Sequence, residues 1–170
     1  MDASELRALQ APLKSRYKAT PDAAVITLRA TGEIDSASIV CKVETGRAIA
    51  LAGLHPLTGG SGLELCSGDM LLEALVACAG VTLKAVATAL EIPLRSGRVT
   101  AEGDLDFRGT LGVDRTAPVG FAAIRLSFDI DAEATDEQIA TLIKLTERYC
   151  VVFQTIQQKP ALDVIVNRAA

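Results

Sequence analysis

The chain has 170 residues, 49% of them apolar and 22% charged, with a net charge of -4 at pH 7, a pI near 5.0 and a mean hydropathy of +0.31. That length and composition fit a single globular domain over residues 1–170 with a substantial core, and exclude a disordered chain. An acidic balance with Lys and Arg scattered along the chain offers no footprint for nucleic acid.

The first residues, MDASELRALQAPLKSRY, carry Asp2 and Glu5 and lack a long apolar core segment. They do not read as a secretory signal, and the expected location is the cytoplasm. Residues 1–22 read as a helical or irregular lead-in closed by the turn residues Thr20, Pro21 and Asp22. Residues 24–31, rich in β-branched side chains, predict a strand. A turn at Gly32–Ser36 and the alternation of Ile39, Cys41 and Val43 complete a hairpin. Cys41 shares the apolar face of that second strand and reads as a small buried hydrophobe. Residues 47–53 make a third strand, and His55–Gly68 a Gly-containing loop with no phosphate-loop Lys-Ser/Thr pair.

Asp69–Leu90 is the longest apolar segment, and the rest of the chain is organised around it. Wound as a helix, it places Asp69, Glu73, Ala77, Gly80, Lys84 and Thr88 on one stripe, with Leu71, Leu75, Cys78, Thr82 and Val86 opposite. A helix apolar over most of its circumference is expected in a core, with Cys78 turned inward. Asp69, Glu73 and Lys84 argue against insertion in a membrane. Asp69 suits the positive end of the helix dipole.

After Ile92-Pro93, two longer strands follow, residues 97–109 and 119–134, expected to pair antiparallel around Pro118. Thr135 and Gln138 form a capping-box start, and Ile139, Leu142, Ile143 and Leu145 continue a helical period. Cys150 falls on the inner face if that helix continues. Pro160 ends the next turn, and residues 161–167 read as a final strand. These elements predict an α+β fold with antiparallel sheets wrapped around the buried cysteine helix.

Four cysteines, at 41, 66, 78 and 150, are not needed as static staples in a reducing compartment. They show no CxxC spacing, and His55 is the only histidine, so no metal and no cofactor are expected. A Cys–His hydrolase would have to use His55, and no motif supports it. Cys66 lies about a dozen ångströms from Cys78 by helical rise alone. Cys78 and Cys150 are therefore the constellation that suggests a reaction, the alternative being two buried structural thiols.

The acidic residue at a helix start, the run LLEALVACAGVTL and a second cysteine in ERYCVVFQTI resemble the OsmC/Ohr family, the osmotically inducible protein C and organic hydroperoxide resistance proteins. The resemblance extends over most of the chain. It implies an intertwined homodimer with sites at the subunit interface, acting as a thiol-dependent peroxidase in the oxidative stress response. Organic hydroperoxides are then the substrate and an external dithiol the reductant. Cys78 is by analogy the peroxidatic residue and Cys150 the resolving one. Asp69 matches the acidic position of OsmC-like members, and Arg29 is the nearest candidate for a cation on the thiolate. Gly68 stands where Ohr proteins carry a glutamate, and Val151 follows Cys150 where the family usually has proline. A non-catalytic relative binding a small apolar ligand around structural cysteines is the alternative reading.

Overall fold

The computed structural model describes residues 3–34, 41–43, 52–63, 65–166 and 168. Helix α1 (Ala3–Ala19), bearing an exposed Pro12, leads through a short 3-10 turn into strand β1 (Val25–Ile34). Strands β2 (Cys41–Val43) and β3 (Ala52–Gly53), a second 3-10 turn (Pro56–Thr58) and β4 (Leu65–Cys66) precede helix α2 (Ser67–Ala89). Strand β5 (Leu94–Asp106), the one-turn α3 (Phe107–Thr110), β6 (Ala123–Ala132), α4 (Asp136–Tyr149) and α5 (Val151–Gln158) complete the order. The architecture is α+β, as expected.

The main sheet has the order β2-β1-β5-β6 and is antiparallel throughout. The hairpin of β1 with β2 is present, with Ile34 opposite Cys41. Its connection and most of the expected 47–53 strand lie outside the described residues. Ala52–Gly53 does not extend the hairpin but pairs in parallel with β4 in a separate two-stranded sheet. Strand β5 begins sooner than expected, directly after Pro93. It stops at Asp106 because that carboxylate accepts the Arg108 N–H at 3.0 Å and caps α3. Gly103 in β5 is required by a close approach: a Cβ there would meet the Phe121 ring at 2.4 Å.

Helix α2 is rich in Ala and Leu, which lose little rotamer freedom in a helix. Its end is a Schellman motif: Ile92 N–H reaches Ala87 O (2.9 Å), Glu91 N–H reaches Thr88 O (3.1 Å), and Glu91 takes the left-handed position at φ 56°. Leu72, Leu75, Val76, Ala79, Gly80, Leu83, Val86 and Ala87 are buried, and the helix packs on β1, β5, α4 and α5. The helix has the length and composition of a membrane span, but that buried face is turned to the sheet and its neighbouring helices. The expected pattern is partly rotated. Gly80, placed on the wet stripe, is buried, while Leu71, placed opposite, is exposed.

The Thr135–Gln138 capping box is present, with both reciprocal bonds formed. Helix α4 does not run through Cys150. It ends at Tyr149, and Cys150 (φ -72°, ψ 104°) is at once its C-cap and the N-cap of α5. Cys150 is fully buried all the same. The expected C-terminal strand is absent: residues 161–166 have no regular structure, and Leu162, Val164, Ile165 and Val166 are 76–90% exposed. A strand needs an edge to pair with, and these exposures show that this segment packs against nothing within the protomer.

Candidate active site

The break between α4 and α5 decides the site. Because the chain turns at Cys150, the first residues of α5 swing their N–H groups towards α2. No side chain caps α5. The sulfur of Cys78, on a different helix, accepts hydrogen bonds from the backbone N–H groups of Val152 and Val151. A thiolate at the positive end of a helix is the acceptor those orphan donors need.

Two side chains complete the surroundings of Cys78, the thiol of Cys150 and the hydroxyl of Thr82 one turn further along α2. Burial pushes the Cys78 thiol up, but the Val152 N–H, the Cys150 thiol, the Thr82 hydroxyl and the Val151 N–H together hold it below the ordinary thiol value. Cys150 goes the other way, pushed up to about 11 by burial and by the neighbouring Cys78 sulfur, against the N–H groups of Phe153 and Val152. Both cysteines are free thiols, Cys78 half-buried and Cys150 buried. The pair is therefore asymmetric, Cys78 being the more acidic of the two thiols.

An apolar cavity of about 320 Å³ is lined by Leu75, Phe121, Ala122, Ala123, Ile124, Leu126, Phe153, Ile156 and Gln157. Leu75 lies one turn before Cys78 on α2, and Phe153 is the residue whose N–H faces the Cys150 sulfur. Neither cysteine lines this cavity, which has room for a small apolar group within one helical turn of each of them in sequence. A second cavity of about 370 Å³ lies beyond Phe121, at the start of α2, and includes His55, Cys66 and Leu71.

Asp69 sits in the first turn of α2, nine residues from Cys78. Burial raises its pKa and nearby His55 opposes that rise. Arg29 stands opposite Glu102 in the β1–β5 register, and its side chain lies outside the described residues. His55 is a capping residue: its Nδ1 accepts the Leu57 N–H at 3.1 Å, and its ring stacks on Phe107 at 4.9 Å. Cys66 is the N-cap of α2. Among the described residues, no group of three or more His, Cys, Asp or Glu side chains could hold a metal ion.

Sequence reasoning missed two contributors, Thr82 and the α5 N–H groups. Thr82 carried a signal, its i+4 spacing from Cys78 on one helix face. The α5 donors carried none, since Val151 replaces the residue that would have announced a new helix. Compared with known proteins, residues 60–165 match the family model described as OsmC-like protein, which covers more than half of the chain and both cysteines. No curated protein matches the sequence.

Proposed function

The chain belongs to the OsmC-like protein family, which includes peroxidases, and on that premise we propose that it is a thiol-dependent peroxidase reducing organic hydroperoxides through Cys78 and Cys150. The observation that carries this reading is that the two thiols are close enough to shift one another, Cys78 downward and Cys150 upward. The thiolate of Cys78 attacks one peroxide oxygen and the O–O bond breaks. The alkoxide leaves and takes up a proton as the alcohol, and Cys78 becomes a sulfenic acid. Loss of the charge on Cys78 removes one of the causes that keep Cys150 protonated. Cys150 then attacks the sulfenic sulfur, water leaves, and a disulfide joins the two residues. A dithiol of the surrounding compartment, in our reading the cytoplasm, restores both thiols and is itself oxidised to a disulfide.

The apolar cavity walled by Leu75 and Phe153, each three residues from one of the cysteines, favours an organic hydroperoxide over hydrogen peroxide in this reading, because it offers burial to an alkyl group. A homodimer is part of the proposal. Leu71 (40% exposed), Ala74, Cys78 and Val81 (38% exposed) follow one another at helical spacing along α2 and form a charge-free stripe. A second copy packed on that stripe would close the site. The test is a stoichiometric pulse of cumene hydroperoxide followed by thiol trapping and mass spectrometry. A Cys78–Cys150 link is expected. Oxidation elsewhere, or none, would return both cysteines to a structural role around an apolar ligand pocket.

A further inference from the structure

On two elements the lining passes from one apolar cavity to the other at the same level. On α2, Leu71 lines the cavity of about 370 Å³, and Leu75, one turn later, the cavity of about 320 Å³. In the segment leading into β6, Gly120 lines the larger cavity, Ala122 the smaller, and Phe121 between them lines both. The two cavities therefore follow one another along α2, with the Phe121 side chain as the partition. That ring is seated on β5, an inner strand of the main sheet. It lies so close over Gly103 that a Cβ there would stand 2.4 Å from Phe121 Cε1 and 2.6 Å from Cδ1. Only a glycine leaves the ring this place against the backbone, and any side chain at 103 would push it out of its seat.

Leu75 stands three residues before Cys78 and Leu71 seven, so the row of cavities leads away from the cysteine towards the start of α2. We propose that Phe121 is a specificity-determining residue, which confines the apolar part of the ligand to the nearer cavity and closes the farther one to it. The protein then selects compact alkyl or aryl groups over long unbranched chains. An apolar cavity of about 150 Å³ takes a benzene ring, and the nearer cavity, at about 320 Å³, has room for a branched or aryl group such as cumyl. The inference rests on the reading of an organic hydroperoxide as the substrate, but its test needs no peroxide.

The unbranched primary alcohols from butanol to decanol belong to the chemical class of the product, and isothermal titration calorimetry on the full chain reads their binding. In the wild type, affinity should rise about fourfold with each methylene that enters the nearer cavity and then level off within the series. Phe121→Ala joins the two cavities, and its affinities should keep rising to decanol. If the alanine variant misfolds by circular dichroism, Phe121→Leu takes its place, and the levelling should move to a longer alcohol. A wild-type series that rises without a break would overturn the assignment. So would a folded variant that levels where the wild type does, or a wild type that binds none of the alcohols. A break that moves as expected, in a protein that forms no Cys78–Cys150 link with peroxide, would overturn the proposed reaction and leave Phe121 as the divider of an apolar ligand pocket.

Discussion

The thiol of Cys150 hydrogen-bonds the sulfur of Cys78, and each makes the other's protonation state more definite: Cys78 is lowered, and Cys150 rises to about 11. Replacing the first should therefore stop the reaction, because a serine hydroxyl supplies no nucleophile at neutral pH. Cys150→Ser should still react once and then over-oxidise in excess peroxide, with nothing left to condense with the sulfenic acid. Intact-mass measurement distinguishes the two, and repeated turnover by Cys150→Ser would remove it from the resolving role. Cys41→Ser and Cys66→Ser should turn over as the wild type does.

The pH profile has a definite sign. Alkylation of Cys78 should rise with pH through a midpoint below its ordinary value of 9.0, while Cys150 stays unreactive until about pH 11. Stability follows the same shifts in opposite directions. What Cys78 contributes is complete above 9.0 and is lost as pH falls through its lowered value. What Cys150 contributes is complete below 9.0 and is lost as pH rises through about 11. A Cys78 midpoint at or above 9.0 contradicts the arrangement described here.

Leu71→Glu or Val81→Glu should convert a dimer into a monomer, since each buries a charge in the middle of the α2 stripe. Multi-angle light scattering reads this directly. A wild-type protein already monomeric at micromolar concentration would remove the homodimer from the proposal.

Arg108 grips Asp106 with Nε–H bonds of 3.0 and 2.9 Å and an Nη2–H bond besides. That grip is the main cause holding the carboxyl below its usual range. A lowered carboxyl contributes stability above its unfolded value of 3.8 and loses it as pH falls through the folded one. Arg108→Ala leaves the nearly buried Asp106 with its backbone bond alone. It should cost about 1–3 kcal/mol in urea unfolding at neutral pH, and the difference from wild type should shrink in acid. A variant with wild-type stability at both pH values would show that the ion pair contributes nothing.

The readable parts of this fold were those set by local chemistry. Thr135 and Gln138 announce the start of α4 because a capping box is local, and the β1–β2 hairpin follows from alternation. The long run around Cys78 gave helix α2 to within two residues at its start. The strand expected at residues 161–167 failed because pairing depends on an edge that sequence alone does not supply. The turn at Cys150 was equally hidden, since Val151 is a poor herald of a helix start and only packing against α2 places it. Cys78 and Cys150 were legible as a pair through family resemblance, whereas Asp69 is drawn to His55 by the fold of the 55–68 segment, which spacing does not reveal.

Helix α5 is eight residues long and has no capping side chain of its own, so the sulfur on α2 does that work across the fold. The bond is reciprocal: whatever the helix gains from the thiolate, the thiolate gains in acidity. Turnover consumes that acceptor. As the sulfenic acid forms, the charge at the head of α5 disappears, its first turn loses part of its anchorage, and amide exchange at Val151 and Val152 should quicken. Phe153 and Ile156 form one wall of the 320 Å³ cavity, so the chemical step itself slackens the wall against which the product alcohol is held, and release becomes a consequence of the reaction.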